Sequence, residues 1–356
     1  MAFPPDMPAP ERRRMAILGF IGIAAVAAVA AIFAVLVVEG GGGGSVEAQT
    51  IREYNLEIVP ADIDYGNGNV WHAWTFKDAD AEAGTVPGPT LEVELGEKLV
   101  VNVQNDLDLV HSFHTHFTNY DLSSDGSQLN TITGVGAGAM IPPGESWTYE
   151  FVPDRAGIYY YHCHSADGGL TISKHIHQGL YGAIIVKSPD DPANVRDEVL
   201  FMSEIGHETE GEDVPVYLMN GLGLPGGEHH LEEIFLEEGI EAVADQFNKT
   251  LPVFEGKTGE ELRLHVINIG DAIHSFHAHN VSHISLGTLK GNQWPANLVP
   301  MVPGQADTLS LTFTKPGLWL FHCHVVGHAD AGMIGLFNIA EPGGDEAPAD
   351  EGSAEE

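Results

Sequence analysis

Four short histidine clusters are the residues of this chain best suited to chemistry. Two of them follow the pattern His-Ser-Phe-His-x-His and begin at His111 and His274. The other two are the triplets His162-Cys163-His164 and His322-Cys323-His324, which contain both cysteines of the sequence. Imidazole and thiolate are side chains that bind copper well in proteins. The clusters therefore predict copper sites, and two cysteines are too few for a disulfide scaffold.

The order of residues within each triplet matters because side chains on a β-strand alternate between its two faces. In a His-Cys-His strand the thiol lies on one side and both imidazoles lie on the other. Zinc is disfavoured, since one tetrahedral ion could not gather ligands from opposite faces. One strand can instead serve two metal sites placed back to back.

The clusters belong to a sequence that repeats itself. A glycine precedes His111 and His274 by the same 15 residues, and another precedes Cys163 and Cys323 by the same 19. Collinear matches at equal spacing indicate two copies of one domain. We therefore predict a tandem pair of domains, over 51–188 and 189–340.

The cysteine face of each triplet predicts a blue-copper site, which uses two imidazoles, one thiolate and a weak axial methionine. The second copy supplies the full set as His274, Cys323, His328 and Met333. These residues provide two nitrogens, one thiolate sulfur and one thioether.

The first copy supplies His111 and Cys163, but its second imidazole must be found by alignment. Counting back from the glycine that follows each site favours His175, with His177 as the competing choice. The same alignment places Leu180 where the second copy has its methionine. Because the axial ligand tunes the potential, the site without axial sulfur should have the higher one.

The imidazoles on the opposite face are too many for a single ion. Each copy offers both histidines of His-x-His and both histidines of its triplet. Three copper ions shared between two domains would use all eight. They are His114, His116, His162, His164, His277, His279, His322 and His324.

Strand-like patterns surround the clusters. Residues 91–105, 146–152 and 308–314 alternate apolar and polar side chains, and glycine or proline turns separate them. A period of two predicts β-strands. We therefore predict an all-β fold in which each domain is an antiparallel Greek-key β-sandwich.

Charge narrows the choice of partners. Acids outnumber bases 51 to 15, for a formal charge of −36. This balance argues against a nucleic-acid partner, which needs a basic face. A strongly negative surface attracts cations instead.

The paired histidine motifs resemble those of multicopper oxidases, and the length resembles their two-domain, laccase-like branch. The resemblance covers roughly residues 51–340 and implies two cupredoxin domains. It implies a type 2 copper on His114 and His277 and a type 3 pair on the six other clustered histidines. A cysteine in both copies resembles the subgroup with two type 1 coppers, which implies five coppers per chain.

The resemblance also implies an assembly. Two-domain members are homotrimers in which each trinuclear cluster lies between domain 1 of one subunit and domain 2 of the next. A lone subunit would hold its two half-sites facing apart, so cyclic closure is needed to complete them.

A loop after the first cluster extends the likeness to two-domain laccases. Asp125 falls where they have an acid that relays protons to the cluster. Tyr120 falls where they have a tyrosine near the type 2 copper. Both are therefore candidate catalytic residues.

The activity implied is one-electron oxidation of a reductant at type 1 copper, coupled to four-electron reduction of O2 to water. A phenol, a metal ion or a small redox protein could be the donor. Copper nitrite reductase shares the two-domain trimeric plan and is the alternative, although it would lack some histidines that both copies have here. A copper store or electron carrier would need no trinuclear ligands.

The N-terminus predicts a membrane anchor. Residues 15–38 carry no charge, and as a helix they would span about 36 Å, against a hydrocarbon core of about 30 Å. A secretory signal has a shorter apolar stretch, so cleavage and secretion are the alternative. The arginines within 1–14 should stay cytoplasmic, leaving the catalytic domains on the outer, periplasmic or extracellular face. Residues 39–50 read as a glycine-rich tether, and 341–356 as an acidic disordered tail.

Overall fold

Strands account for about half of the residues that the computed structural model describes. The described residues are 49–66, 68–128, 139–191, 196–206, 215–224, 227–239, 242, 250–281, 284–286, 293–294 and 297–342. The predicted cytoplasmic segment and anchor lie outside them, as do nearly all of the tether and the acidic tail. Within the described ranges, no helix is both long enough and apolar enough to span a membrane.

The strands before residue 190 are called the first repeat. In chain order they are β1 (Ile51–Asp64), β2 (Val70–Asp78), β3 (Leu91–Glu94), β4 (Lys98–Asn105), β5 (His111–Ser112), β6 (His114–Thr115), β7 (Met140–Ile141), β8 (Ser146–Phe151), β9 (Gly157–His162) and β10 (Tyr181–Lys187).

The later strands are called the second repeat. They are β11 (Arg196–Ile205), β12 (Val216–Met219), β13 (Val253–Lys257), β14 (Glu261–Asn268), β15 (His274–Ala278), β16 (Ile284–Leu286), β17 (Gln293–Trp294), β18 (Leu298–Met301), β19 (Ala306–Thr312), β20 (Gly317–Cys323) and β21 (Ile334–Ala340). The predicted domain boundary at 188/189 falls between β10 and β11 and stays a prediction.

Helices are short. They are α1 (Ile172–His177), α2 (Gly227–Glu238) and α3 (Val326–Asp330), with 3-10 turns at Leu122–Ser124 and Asp167–Gly169. The glutamate-rich run after residue 230 predicts a helix, and α2 begins earlier, at Gly227, so that it also contains His229 and His230.

The two repeats have equivalent sheets. The first repeat has the orders β2-β1-β4-β8 and β3-β10-β9-β6, with β5-β7 as a separate pair. The second has β12-β11-β14-β19-β16-β17 and β13-β21-β20-β15-β18. Strand β4 has the alternation of apolar and polar residues that predicts a strand with one buried face. Leu99, Val101 and Val103 are buried, and the residues between them are not.

The sheets are mixed, so the antiparallel prediction is wrong in part. Strand β1 pairs parallel to β4, and β11 pairs parallel to β14. The chain passes through the other sheet, at β3 and β13, before it returns beside its first strand. Alternation reports which face a residue occupies and carries no information on strand direction.

Three of the four buried apolar clusters among the described residues hold most of the strands together. One fills the first repeat and one fills the second. The third joins the repeats, packing Trp71 and Tyr181 of the first with Phe201 and Ile267 of the second. Apolar burial therefore fixes the two repeats to each other as well as each sandwich internally.

Candidate metal centres

Strand pairing places the four histidine clusters. In the first repeat His114 on β6 lies opposite His162 on β9, and in the second His277 on β15 lies opposite His322 on β20. The cysteines come one residue further along, and both are fully buried. Each strand end therefore sends its thiol into the core and its imidazoles to the other face, as the triplet order predicts.

The cysteine-centred site of the second repeat consists of His274, Cys323 and His328. The Nδ1 atoms of the two rings are 3.2 Å apart, and they lie 3.8 and 3.6 Å from the Cys323 sulfur. Met333, the proposed axial ligand, is fully buried in the same cluster as the cysteine. Tyr217 stacks on His328 with ring centroids 3.7 Å apart.

The cysteine-centred site of the first repeat consists of His111, Cys163 and His175. The sulfur lies 3.6 and 3.5 Å from the two Nδ1 atoms, which are 3.2 Å from each other. All three side chains are fully buried. Trp74 packs edge-on against both rings, at centroid distances of 5.4 and 5.5 Å.

His177, the competing choice, lies elsewhere. Its Nδ1 is 3.5 Å from the Ser173 hydroxyl and its Nε2 is 3.6 Å from the Asp271 carboxylate. It therefore belongs to a polar contact between α1 and the second repeat, while His175 on the same helix reaches the thiol.

Backbone hydrogen bonds show that Leu180 is the counterpart of Met333. The Cys163 N–H donates to the Leu180 carbonyl at 3.0 Å, and the Cys323 N–H donates to the Met333 carbonyl at 3.1 Å. The two repeats therefore place an isobutyl group and a thioether at the same point of the fold.

The donor atoms of the first cysteine-centred site fit a metal ion. Ligands that share one ion at about 2.0–2.3 Å lie roughly 3.5 Å from one another, as these do. The Nε2 atoms of His111 and His175 are buried and have no hydrogen-bond partner among the described residues. Each neutral ring can thus keep its proton on Nε2 and turn the lone pair of Nδ1 toward the thiol.

Burial favours the neutral forms of this donor set. It raises the pKa of the Cys163 thiol to about 11. Burial, with the neighbouring His175 as a second cause, lowers the pKa of His111 to about 3. A cation bound between the donors would replace the thiol proton and stabilise the thiolate.

On the histidine face of the first repeat, three rings, those of His114, His116 and His162, are hydrogen-bonded through Nδ1. A carbonyl can only accept, so His162 donates its Nδ1–H to the Cys163 carbonyl at 3.0 Å, and His114 donates to the Asp125 carbonyl at 2.5 Å. The Tyr160 hydroxyl donates to the Gly304 carbonyl at 2.9 Å and lies 3.2 Å from His116 Nδ1. The Nε2 atoms remain as ligands, which is how proteins orient metal-binding histidines.

The second repeat uses the same arrangement. His277 donates its Nδ1–H to the Asn297 carbonyl at 2.8 Å, and His322 donates to the Cys323 carbonyl at 3.0 Å. The ring of His324 lies 5.2 Å from that of His277, as His164 lies 4.9 Å from His114.

Among the described residues, each convergent donor group is drawn from a single repeat. The two groups on the histidine face are His114 with His116 and His162, and His277 with His279 and His322. Both remain partly open to solvent, since His116, His279 and His324 are exposed.

Asp125 and Tyr120 lie together beside the first histidine group. The Tyr120 hydroxyl donates to the Asp125 carboxylate at 3.2 Å, while the Asp125 carbonyl holds His114. Burial raises the pKa of Tyr120, and the nearby Asp125 charge adds to it. Although burial alone would raise the pKa of Asp125, its bonds to Ser127 and the nearby His114 leave it lowered.

Two family models, both described as multicopper oxidase, match residues 74–191 and 229–343. They cover the two cysteine-centred sites between them. The chain belongs to the multicopper oxidase family.

This multicopper oxidase is similar to proteins whose names indicate different functions. It is 25% identical over 295 residues to a probable nitrite reductase-hydroxylamine oxidoreductase fusion protein of Kuenenia stuttgartiensis, covering 80% of this chain and 31% of that protein. It is 25% identical over 274 residues to human hephaestin, covering 71% and 22%. The chain thus spans less than a third of either relative.

A solved structure gives fuller coverage. A crystal structure of a multicopper oxidase is 29% identical, with a TM-score of 0.64, and the match covers 82% of this chain and 90% of that one. The cupredoxin-like multicopper oxidase fold therefore extends over both repeats of this oxidase.

Several residues that touch candidate ligands of this multicopper oxidase belong to no motif. Trp74, Tyr160, Tyr217 and Asn297 contact rings as described above. Glu204 is a fully buried acid whose carboxylate lies 3.4 Å from His274 Nε2. Burial acts to raise the pKa of Glu204, but the bonds from His274 and from backbone amides leave it lowered. A position-by-position comparison of the two copies is the sequence signal that could identify Glu204.

Proposed function

We propose that the chain is a copper-dependent oxidase that couples one-electron oxidation of a reductant to four-electron reduction of O2 to water. The observation that carries the proposal is the duplicated strand end. In each repeat one strand directs a thiol toward two buried imidazoles and directs the adjacent imidazoles toward a second group. Copper ions held by these donors would supply the one-electron steps and the binding of dioxygen.

The chain's own residues would divide the remaining work. Cys163 and Cys323 are bonded through the backbone to histidines of the opposite face, which gives a short covalent route for electrons. Burial of both thiols keeps water from them. Asp125, hydrogen-bonded to Tyr120 and attached to His114 through its carbonyl, is placed to supply protons at the histidine face.

We propose five coppers per chain, with type 1 sites at both cysteines. The type 2 ion would use His114 and His277, and the type 3 pair would use the other six clustered histidines. Since each convergent group comes from one repeat, we propose a homotrimer that joins the first repeat of one subunit to the second of the next.

The reductant is proposed to be a phenol, a metal ion or a small redox protein, with the second cysteine-centred site as its point of entry. Solvent exposure supports this choice of site. His328 is partly exposed, whereas His111, Cys163 and His175 of the first site are fully buried. For location we propose a membrane anchor at 15–38 with the catalytic part on the outer face, secretion being the alternative.

Nitrite reduction is the second candidate, and the Kuenenia relative, named a probable nitrite reductase fusion, favours it. The eight histidines on the opposite face favour oxygen. The two reactions differ in their acceptor, so they separate in one assay.

The test begins with copper counting, visible absorption and electron paramagnetic resonance on the purified chain. We expect five coppers, two of them blue. Oxygen and nitrite consumption are then measured with a phenol and with Fe(II). Blue copper without oxygen uptake, or nitrite uptake instead, would contradict the oxidase.

Sharing of the cluster between subunits has its own test. One variant carries His116→Ala with His164→Ala, and the other carries His279→Ala with His324→Ala. Each alone should be inactive. Mixed trimers should recover activity, because one junction pairs two intact half-sites; no recovery in verified mixed trimers would exclude the shared cluster.

A further inference from the structure

Glu204 is a buried acid for which the proposed function has no role. It lies in β11, and its side chain is fully buried. Its Oε1 accepts the backbone N–H groups of Asp271 and Ala272, at 2.5 and 2.8 Å. Its Oε2 lies 3.4 Å from His274 Nε2, at the long end of a hydrogen bond. The carboxylate therefore ties the backbone before β15 to the ring of a candidate copper ligand.

The loop is shaped around this carboxylate. A methyl group added at Gly270 would lie 1.9 Å from the Glu204 Oε2 atom. The N–H of Gly270 donates to the side chain of Asn268, and in the first repeat the N–H of Leu107 donates to Asn105 in the same way, both at 3.0 Å. Equivalent loops thus carry glycine where the acid approaches and leucine where none does.

The first repeat also lacks the acid. In the parallel pairs, Met202 on β11 lies beside Asn268 and Ile58 on β1 lies beside Asn105. Two residues further along, Glu204 therefore corresponds to Pro60. The first repeat has no carboxylate at this position of the fold.

The histidine ligands differ as a result. In the second repeat His274 has an acid at Nε2. In the first, His111 Nε2 is buried with no hydrogen-bond partner in the described part of the chain. In both sites Nδ1 of this histidine is turned toward the cysteine.

We propose that Glu204 is a positioning residue that holds His274 and lowers the reduction potential of the second cysteine-centred site relative to the first. An acceptor on the far N–H of a ligating imidazole fixes the ring and makes it a more basic ligand. A more basic ligand stabilises the oxidised, more highly charged metal. Glu204 and the axial Met333 would both lower the potential of the second site, whereas the first site has Leu180 in place of the methionine. Because electrons move toward the higher potential, those gained at the second site would pass to the first. This inference rests on the proposed copper sites.

The experiment measures one site at a time in the full chain. In a Cys163→Ser background only the second site can be blue, and Glu204→Gln is introduced there. We expect the midpoint potential of the second site to rise by about 59 mV, which for one electron corresponds to a tenfold change in the oxidised-to-reduced ratio. The same substitution in a Cys323→Ser background should leave the first site unchanged.

Asp271→Asn is the matched control. It removes a carboxylate from the same loop, yet its side chain is 64% exposed and the backbone N–H that Glu204 accepts is kept. We expect no comparable change in potential. Suppose that Asp271→Asn raised the potential of the second site as much as Glu204→Gln does, or that Glu204→Gln raised the potential of the first site equally. Either result would indicate a general charge effect and overturn the proposal.

The outcomes separate the two proposals. An intact blue band with an unchanged potential in Glu204→Gln would overturn the role of Glu204 and leave the oxidase standing. Absence of a blue band in the parent Cys163→Ser protein would overturn the second copper site itself. If only Glu204→Gln lost the band, Gly270→Ala, whose methyl group displaces the carboxylate, should show the same rise, and an unchanged potential there would overturn the proposal.

Discussion

The Nε2 atoms of His116 and His162 lie 3.2 Å apart, with both rings hydrogen-bonded through Nδ1. His162 donates to the Cys163 carbonyl, and His116 can donate to the Tyr160 hydroxyl, whose own proton goes to Gly304. Two lone pairs then face each other across a gap that suits a cation.

Acid should destabilise the copper-free protein for this reason. Burial lowers the pKa of His162 to about 3, and partial desolvation together with the nearby His114 and His164 lowers that of His116 to about 4. The unfolded chain takes up protons below pH 6.5, its ordinary value, while these rings stay neutral in the fold. Stability should therefore fall from pH 6.5 toward pH 4, by about 1.4 kcal/mol per pH unit from a buried group such as His162.

Denaturant unfolding of copper-free protein at pH 7, 6 and 5 tests this slope. His162→Gln cannot be protonated in this range and is the control, with a shallower dependence expected. A free energy of unfolding that did not change across these pH values would contradict the neutral state of His116 and His162 in the fold.

Leu180→Met should lower the reduction potential of the first cysteine-centred site. Leu180 occupies the point where the second repeat has Met333, and a weak axial thioether stabilises the oxidised ion relative to an alkyl group. A change on the order of 59 mV corresponds to tenfold in the oxidised-to-reduced ratio. Redox titration in the Cys323→Ser background measures it.

Met333→Leu in the Cys163→Ser background is the reciprocal change and should raise the potential of the second site. Equal potentials before and after both exchanges would show that these positions do not act as axial ligands.

Tyr160→Phe should weaken both the fold and the histidine face. The hydroxyl joins His116 of the first repeat to the Gly304 carbonyl of the second. Its loss should cost about 1–2 kcal/mol of unfolding free energy and loosen the ring of His116. Thermal unfolding and copper content per chain measure the two effects.

The adjacent Tyr159→Phe is a suitable control. Its hydroxyl donates to the Arg155 carbonyl near the surface, at 3.2 Å, and contacts no clustered histidine. Copper content should be unchanged in it. A loss of copper equal to that in Tyr160→Phe would indicate a general effect of removing a tyrosine hydroxyl.

Gly335→Ala should destabilise the second repeat by about 1–3 kcal/mol through overpacking. A methyl group there would lie 2.2 Å from the Phe321 ring, as one at Gly182 would lie 2.3 Å from Tyr161 in the first repeat. Gly327→Ala, with no atom within 4 Å of the added carbon, is the control. Chemical denaturation compares the unsubstituted chain, Gly335→Ala and Gly327→Ala. Equal free energies of unfolding would rule out the close packing of Phe321 on Gly335.

Sequence spacing predicted the clusters, the duplication and the strands around them, because motif and period are local properties. Even the choice of His175 followed from counting between matched glycines, and the structure brings that residue to Cys163. The two repeats also have the cupredoxin-like fold that the motif resemblance implied.

What sequence could not supply depends on contacts between distant residues. Glu204 is 70 residues from His274 and belongs to no motif. The bond from Tyr160 to Gly304 crosses between repeats, and the parallel pairing of β1 with β4 leaves no periodic trace. Such relations arise only when sheets and loops are brought together.

The strand end at residues 322–324 contributes to both candidate donor groups of the second repeat, because its thiol and imidazoles alternate between the two faces of one strand. Inserting one residue upstream in β20 would turn the thiol outward and the imidazoles inward, so both donor groups would be lost together. Neither group can be moved along this strand without moving the other. A one-residue change in the register of this strand therefore alters both groups at once.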